Sequence, residues 1–209
     1  DAFHVICPSL PGYGFSEPTR TTGWDAIRMA DAFVVLMERL GYTRYGAQGG
    51  DWGALITTQI GLRDPEHCCG IHLNMPLASP QADVESLSDA EKAALADMAH
   101  FNRMETGYQM IQGTRPQTLG FGLNDSPAGL AAWIVEKFRA WSDCGEDVFS
   151  SFSRDELLAN ISVYWFTGTI TSSTRLYYEV TQGGRMSMDQ RVELPTGVAR
   201  FPKEVMRFP

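Results

Sequence analysis

Gly49, Gly50, Asp51, Trp52 and Gly53 follow one another, so that a glycine stands two places to either side of an acid. A carboxylate in that setting can act as a nucleophile. The spacing is that of a G-x-S-x-G nucleophile elbow with Asp in place of Ser. In such an elbow a strand turns sharply into a helix, the central residue occupies strained backbone, and only small residues fit at its flanks. The side chain then stands above the sheet edge at a helix N-terminus, where the dipole favours an anion. The plainer reading is a helix N-cap, the commonest use of Asp before a helix. The surroundings have to decide between the two.

Those surroundings read as alternating strands and helices. Residues 2–7 (AFHVIC) are nearly all apolar and suit a buried parallel strand. Residues 8–18 (PSLPGYGFSEP) have the composition of a loop. Thr21 or Thr22 can cap a helix from about Trp24 to Leu40 that ends at Gly41. Residues 43–48 lead into the elbow, a helix runs from Trp52 to about Leu62, and Asp64-Pro65 stops it. Residues 69–74 form the next strand. The order strand, helix, strand, helix, strand implies a parallel sheet with right-handed crossovers.

From about Leu77 to Met188 the pattern is helical. Ser88 to Glu91 and Ser153 to Glu156 are capping boxes. The helix after Ser88 is expected to reach Gln112, another starts at Ser126-Pro127, and a further one holds Ser172 to Val180. Residues 191–197 return to a strand. The expected division is 1–76 as the first part of a sheet core, 77–188 as an inserted helical block, and 189–209 as the core resumed.

Composition narrows the function classes. The 209 residues carry 17 Lys and Arg against 25 Asp and Glu, a net charge of −8, which argues against a nucleic-acid partner. Hydrophobic content of 44% with 11% aromatic residues is that of a globular chain. Cys7, Cys68, Cys69 and Cys144 lack metal-ligand spacing and make a poor disulfide framework, which favours a reducing, cytoplasmic setting. No run of about 18 apolar residues spans a membrane. The chain opens on Asp1 and ends on Pro209 without a closing element, so we expect an internal stretch of a longer protein. A membrane anchor carried by a preceding segment therefore stays open.

Several stretches together resemble one family. Pro11-Gly12-Tyr13-Gly14-Phe15-Ser16 followed by the Asp51 elbow resembles the α/β-hydrolase-fold epoxide hydrolases. Residues 105–108, 124–132, 164–170, 175–177 and 195–197 look like the microsomal and juvenile-hormone branch. The likeness covers essentially the whole chain. It implies an α/β-hydrolase fold with a helical cap, incomplete at both ends, and hydrolysis of a small apolar epoxide by water to a vicinal diol, without a metal or organic cofactor. By the same likeness Asp51 is the nucleophile and the Trp52 backbone N–H is an oxyanion-hole donor. Tyr108 and Tyr177 match the two tyrosines that donate to the epoxide oxygen, and Glu204 matches the acid that orients a catalytic His.

The departures are equally definite. The His-Gly-Trp-Pro type loop that gives the second oxyanion donor is expected before Asp1. The Gly-Gly-His-Phe type loop with the catalytic His is expected beyond Pro209. His4, His67, His72 and His100 receive no role. Without the likeness, Tyr108 and Tyr177 read as core or helix-face tyrosines and Glu204 as a loop acid. Two other functions use the same features: a haloalkane-type dehalogenase, which also places Trp after an elbow Asp, and a non-catalytic binding protein on this fold.

Overall fold

A computed structural model of the chain describes residues 2–77, 86–184, 190–201 and 204. Strands Tyr45–Gly49 (β1), Cys68–Leu73 (β2) and Thr196–Val198 (β3) form one sheet in the order β1-β2-β3. Both pairings are parallel, with Gly49 opposite Leu73 and Ile71 opposite Thr196. Parallel neighbours need crossover connections, and helices supply them. Helix α1 is Ala26–Arg39 and α2 is Trp52–Arg63, the latter carrying the chain from β1 to β2. Between β2 and β3 in chain order come α3 (Asp89–Met104), α4 (Gly107–Thr114), α5 (Pro116–Asp125), α6 (Pro127–Ala140), α7 (Arg154–Thr167) and α8 (Ile170–Gly183).

By density of contact the chain forms two compact units. One is Asp1–Trp24 with Ile111–Gln182; the other is Asp25–Met110 with Gly183–Pro209. The second unit holds the sheet. Met29 and Ala30 of α1, Ala54, Ile56 and Ile60 of α2, and Ile71 and Leu73 of β2 are buried. Helices α1 and α2 are joined by the Arg63 guanidinium, which donates to both carboxylate oxygens of Asp31. The first unit has its own apolar centre, where Leu123, Leu130, Ile161 and Ile170 meet from α5, α6, α7 and α8. Trp133, Ile134 and Trp165 pack against it.

Most helix boundaries follow from local chemistry. Both capping boxes form: Ser88 Oγ accepts from the Glu91 N–H at 3.3 Å, and Ser153 Oγ from the Glu156 N–H at 3.2 Å. Each glutamate returns to the cap residue's N–H, which satisfies two end donors at once. Ser126 caps α6 by accepting from Gly129, with Pro127 in the first turn. Gly41 ends α1 at φ 80°, where a side chain would be strained.

Four expectations are corrected. Residues 2–7 form no strand: Phe3 is 82% exposed and Val5 75%. An apolar run becomes a parallel strand only beside a partner ladder, and none among the described residues pairs with it. The cap of α1 is Asp25, whose carboxylate accepts from the Arg28 N–H at 3.0 Å, and not Thr21 or Thr22. The helix after Ser88 does not reach Gln112 unbroken. It stops at Met104, and α4 restarts at Gly107. The Thr106 hydroxyl bonds back to the Asn102 carbonyl at 2.7 Å, and Gly107 adds the weak helix propensity of glycine. The last strand is only Thr196–Val198, shorter than 191–197. Pro195 has no N–H to give a ladder, although its carbonyl accepts from Ile71 at 2.9 Å. Helix α5, which opens at Pro116, was not anticipated.

Candidate active site

The junction of β1 and α2 has the geometry of a strained elbow. Asp51 has φ 51° and ψ −129°, and it is the one non-glycine residue with positive φ among the described residues. Such backbone costs of order 1–3 kcal/mol and persists only where its surroundings impose it. The surroundings here are tight. A Cβ on Gly49 would come to 2.0 Å from the Gly53 carbonyl oxygen and 2.6 Å from Thr57 Oγ1. Gly49 is therefore fixed by the close passage of the next helical turn. Gly53 is different: a Cβ there would meet nothing within 4 Å. What presses on Gly49 is the Gly53 carbonyl, which any residue would carry. Sequence spacing gave both glycines the same reason, and only the first has it.

The Asp51 carboxylate points back to the start of α2, and its Oδ1 accepts from the Trp52 N–H at 2.5 Å. Asp51 is thus also the N-cap of α2, so the two sequence readings do not exclude each other. The residue has open surface, yet the atoms packed around its carboxyl desolvate the charged form and raise its pKa. The Trp52 N–H opposes this by stabilising the carboxylate. The Trp52 N–H, the expected oxyanion donor, is engaged by the Asp51 side chain.

The other candidate residues are placed as follows. Tyr108 lies in the first turn of α4, half-buried, and its hydroxyl oxygen accepts from Gln109 Nε2 at 2.8 Å. Glu204 is half-buried, with its N–H donating to the Phe201 carbonyl at 3.3 Å. Asp51, Trp52, Tyr108 and Glu204 all belong to the unit that contains the sheet. Tyr177 lies on α8 in the other unit and is half-buried, whereas its neighbour Tyr178 is 43% exposed. Loop 8–18 is fastened to α8 within that unit. Ser172 Oγ donates to the Gly12 carbonyl at 2.5 Å, and the Tyr13 hydroxyl donates to the Ser173 carbonyl at 2.8 Å. Gly12 has φ 88° at this contact.

The aromatic residues divide. Trp133 and Trp165 pack against the apolar centre, whereas Phe166 is 83% exposed. The Lys137 ammonium sits 5.0 Å from the centre of the Trp141 ring. His4, His72 and His100 are exposed. His67 belongs to a separate cluster at the far end of α2. There the buried Asp64 carboxylate accepts from the Tyr45 hydroxyl at 2.6 Å and lies 2.6 Å from His67 Nδ1. The Asp64 bond and charge raise the His67 pKa, and burial with Asp64 pushes the Tyr45 hydroxyl far above its ordinary value. Among the described residues no cluster of His, Cys, Asp or Glu could hold a metal ion, and the four cysteines are free thiols.

Sequence reasoning passed over Gly50 and Asn74. A Cβ on Gly50 would come to 2.1 Å from Asn74 Oδ1. The one sequence signal was a polar amide at the close of the strand read over 69–74.

The profile of the alpha/beta hydrolase fold family matches residues 1–109. The chain is 50% identical over 210 residues to a Stigmatella aurantiaca (strain DW4/3-1) protein that carries a provisional epoxide hydrolase name, a match covering 100% of this chain and 47% of that protein. It is 41% identical over 238 residues to "Epoxide hydrolase 1" of Sus scrofa, covering 99% of this chain and 51% of the relative. The solved structure of juvenile hormone epoxide hydrolase from the silkworm Bombyx mori superposes with a TM-score of 0.87 at 36% identity, covering 97% of this chain and 53% of that one. The chain spans about half the length of the curated relatives it matches. The resemblance to epoxide hydrolases read from the sequence is thus borne out, juvenile-hormone enzymes included. With its parallel sheet, its flanking helices and its elbow after β1, the chain belongs to the alpha/beta hydrolase fold family.

Proposed function

We propose that the protein carrying this chain hydrolyses epoxides to vicinal diols through an ester of Asp51. The observation that carries this is Asp51 itself, held at φ 51° between Gly49 and Gly53 at the start of α2, in a chain 41% identical to an epoxide hydrolase. In the first step a carboxylate oxygen of Asp51 attacks an epoxide carbon, the carbon–oxygen bond of the ring breaks, and an alkyl ester forms. The leaving oxygen becomes an alkoxide, and Tyr108 and Tyr177 donate to it as charge develops, which lowers the barrier more than it tightens binding. In the second step water attacks the ester carbonyl. The oxyanion of the tetrahedral intermediate forms on the Asp51 oxygen that did not attack the epoxide, and the Trp52 N–H, which already donates to Asp51 Oδ1, stabilises it there. Glu204 orients the histidine that activates that water, a residue supplied by the remainder of the protein. Residues 77–188 form a cap between two parts of the core, 1–76 and 189–209; helices α3 to α8, which lie between β2 and β3 in chain order among the described residues, support this reading. The substrate is a small apolar epoxide, with water as co-substrate. Of the relatives reported above none is named a dehalogenase.

The test uses the full-length protein in oxygen-18 water, in excess over substrate, so that each site turns over about once. The ester route places label in the peptide bearing Asp51 and yields unlabelled diol. Label in the diol alone, with no modified Asp51 peptide, would overturn the proposal. Glu204→Gln should slow ester hydrolysis more than ester formation.

A further inference from the structure

Asn74 stands one residue past the end of β2, beside the elbow. Its backbone N–H donates to the Gly49 carbonyl at 3.3 Å, extending the β1–β2 ladder by one bond beyond the Gly49–Leu73 pair. Its side chain lies over the next residue. A Cβ on Gly50 would come to 2.1 Å from Asn74 Oδ1 and 2.8 Å from both Cγ and Nδ2. The amide therefore occupies the space that a side chain at position 50 would fill. The hydrogen that Gly50 carries there faces the amide, where a side chain would collide with it.

Asn74 Oδ1 is closed off from solvent and meets no hydrogen-bond donor among the described residues. A buried acceptor without a donor is costly, and such a group in a folded protein calls for a reason. An alanine at 74 would leave no orphaned oxygen. It would also leave Gly50 unsupported, next to the residue with strained backbone. A glycine is the most freely deformable residue in a chain, and here it directly precedes Asp51. Something must hold it if Asp51 is to keep φ 51°.

We infer that Asn74 is a positioning residue: its N–H on Gly49 and its amide on Gly50 clamp the two residues before Asp51, so that the carboxylate is presented in one orientation. The role rests on Asp51 being the nucleophile. It also assigns the glycine at 50 to a close approach by a partner side chain, a reason separate from the one at Gly49.

The experiment measures single-turnover ester formation by the full-length protein, using styrene oxide as the probe epoxide. The rate is expressed per site that eventually traps an ester, so misfolded molecules do not enter it. Asn74→Ala should slow ester formation about tenfold or more with little change in the substrate concentration giving half the maximal rate, because misplacement of a reacting group by about an ångström is enough for such a loss. The double variant Gly50→Ala with Asn74→Ala puts a methyl group into the vacated space. If Asn74 were only a filler, this pair would recover the wild-type rate; the clamp requires it to stay slow. Asn74→Asp keeps the shape but sets a negative charge beside the elbow. It should move the acid limb of the pH profile for ester formation upward, as a like charge raises a carboxylate pKa. Wild-type rates per site in Asn74→Ala, full recovery in the double variant, or an unmoved profile in Asn74→Asp would each overturn the inference while the ester mechanism stands. Absence of any ester in the wild-type protein would remove the nucleophile, and the clamp with it.

Discussion

Asp51 should be worth more to the reaction than to the fold, and replacing it should stabilise the protein. Two contributions point the same way. Backbone at φ 51° and ψ −129° holds about 1–3 kcal/mol of strain for a residue with a Cβ, and glycine releases it. Against this, exchanging an Asp N-cap for Gly costs only a few tenths of a kcal/mol. Asp51→Gly should therefore gain about 1–2 kcal/mol. Asp51→Asn keeps the shape and isolates the charge. The Asp51 pKa is raised in the folded state, so whatever stability the group contributes is fully present below its ordinary value of 3.8 and is lost as pH rises through the raised folded value. Asp51→Asn should thus exceed the wild type in stability at neutral pH, and the gap should close in acid. Urea unfolding of the full-length protein at pH 7 and at pH 4 measures both, provided the slope of each transition is unchanged. A midpoint for Asp51→Gly below that of the wild type at pH 7 would refute the strain argument. A gap between Asp51→Asn and the wild type that widens in acid would refute the burial argument.

Gly49→Ala places a methyl group 2.0 Å from the Gly53 carbonyl oxygen, so it should destabilise by at least the 1–3 kcal/mol typical of overpacking, whereas Gly53→Ala, with open space around its Cβ, should not; thermal melts compare them. Tyr108→Phe and Tyr177→Phe should each slow ester formation on the order of 10²-fold in rapid-quench experiments, with smaller changes in binding; Tyr178→Phe should be silent. His67 has a raised pKa in the folded state, chiefly from Asp64 with smaller contributions from Glu66 and Glu38. The stability it adds is complete below about pH 6.5 and fades as pH rises through the raised value. His67→Gln should flatten that stretch of the stability profile, read as unfolding midpoint against pH. Tyr45→Phe removes a donor from the buried Asp64 carboxylate and should cost about 1.5–3 kcal/mol by the same assay.

Legibility in the sequence depended on how local the cause was. The capping boxes at Ser88 and Ser153 were readable because both partners lie within four residues. The elbow was readable because the turn and its flanking glycines are consecutive. The β1–α2–β2 unit followed from apolar runs broken by Gly and by Asp64-Pro65. Failures came where the deciding group is remote or acts by its absence. Residues 2–7 have a strand's composition but no ladder partner among the described residues, and composition does not encode a partner. The cap of α1 moved to Asp25 because three residues near one another could all cap. The different status of Gly49, Gly50 and Gly53 cannot be seen in the string GGDWG, because the Asn74 amide that makes Gly50 necessary comes from the residue just after β2, 24 positions further on. Tyr108, Tyr177 and Glu204 were singled out by likeness alone, since nothing local distinguishes a donor tyrosine from a packed one.

Helix α2 is fastened at both ends. It begins at Asp51, and it ends at Asp64, whose carboxylate takes the Tyr45 hydroxyl and approaches His67, and whose carbonyl accepts from Cys68 at 2.9 Å. Twelve residues separate the two anchors, about 18 Å of helix. Tyr45 opens β1 and Cys68 opens β2, so one acid ties the rear of both strands to the helix whose front bears the elbow. Such a rod does not tolerate a change of length. One inserted or deleted residue would turn one anchor by about 100° relative to the other, releasing either the acid at the rear or the carboxylate at the front. Over evolutionary drift, residues 45–68 should therefore keep their number even where side chains between the two anchors change.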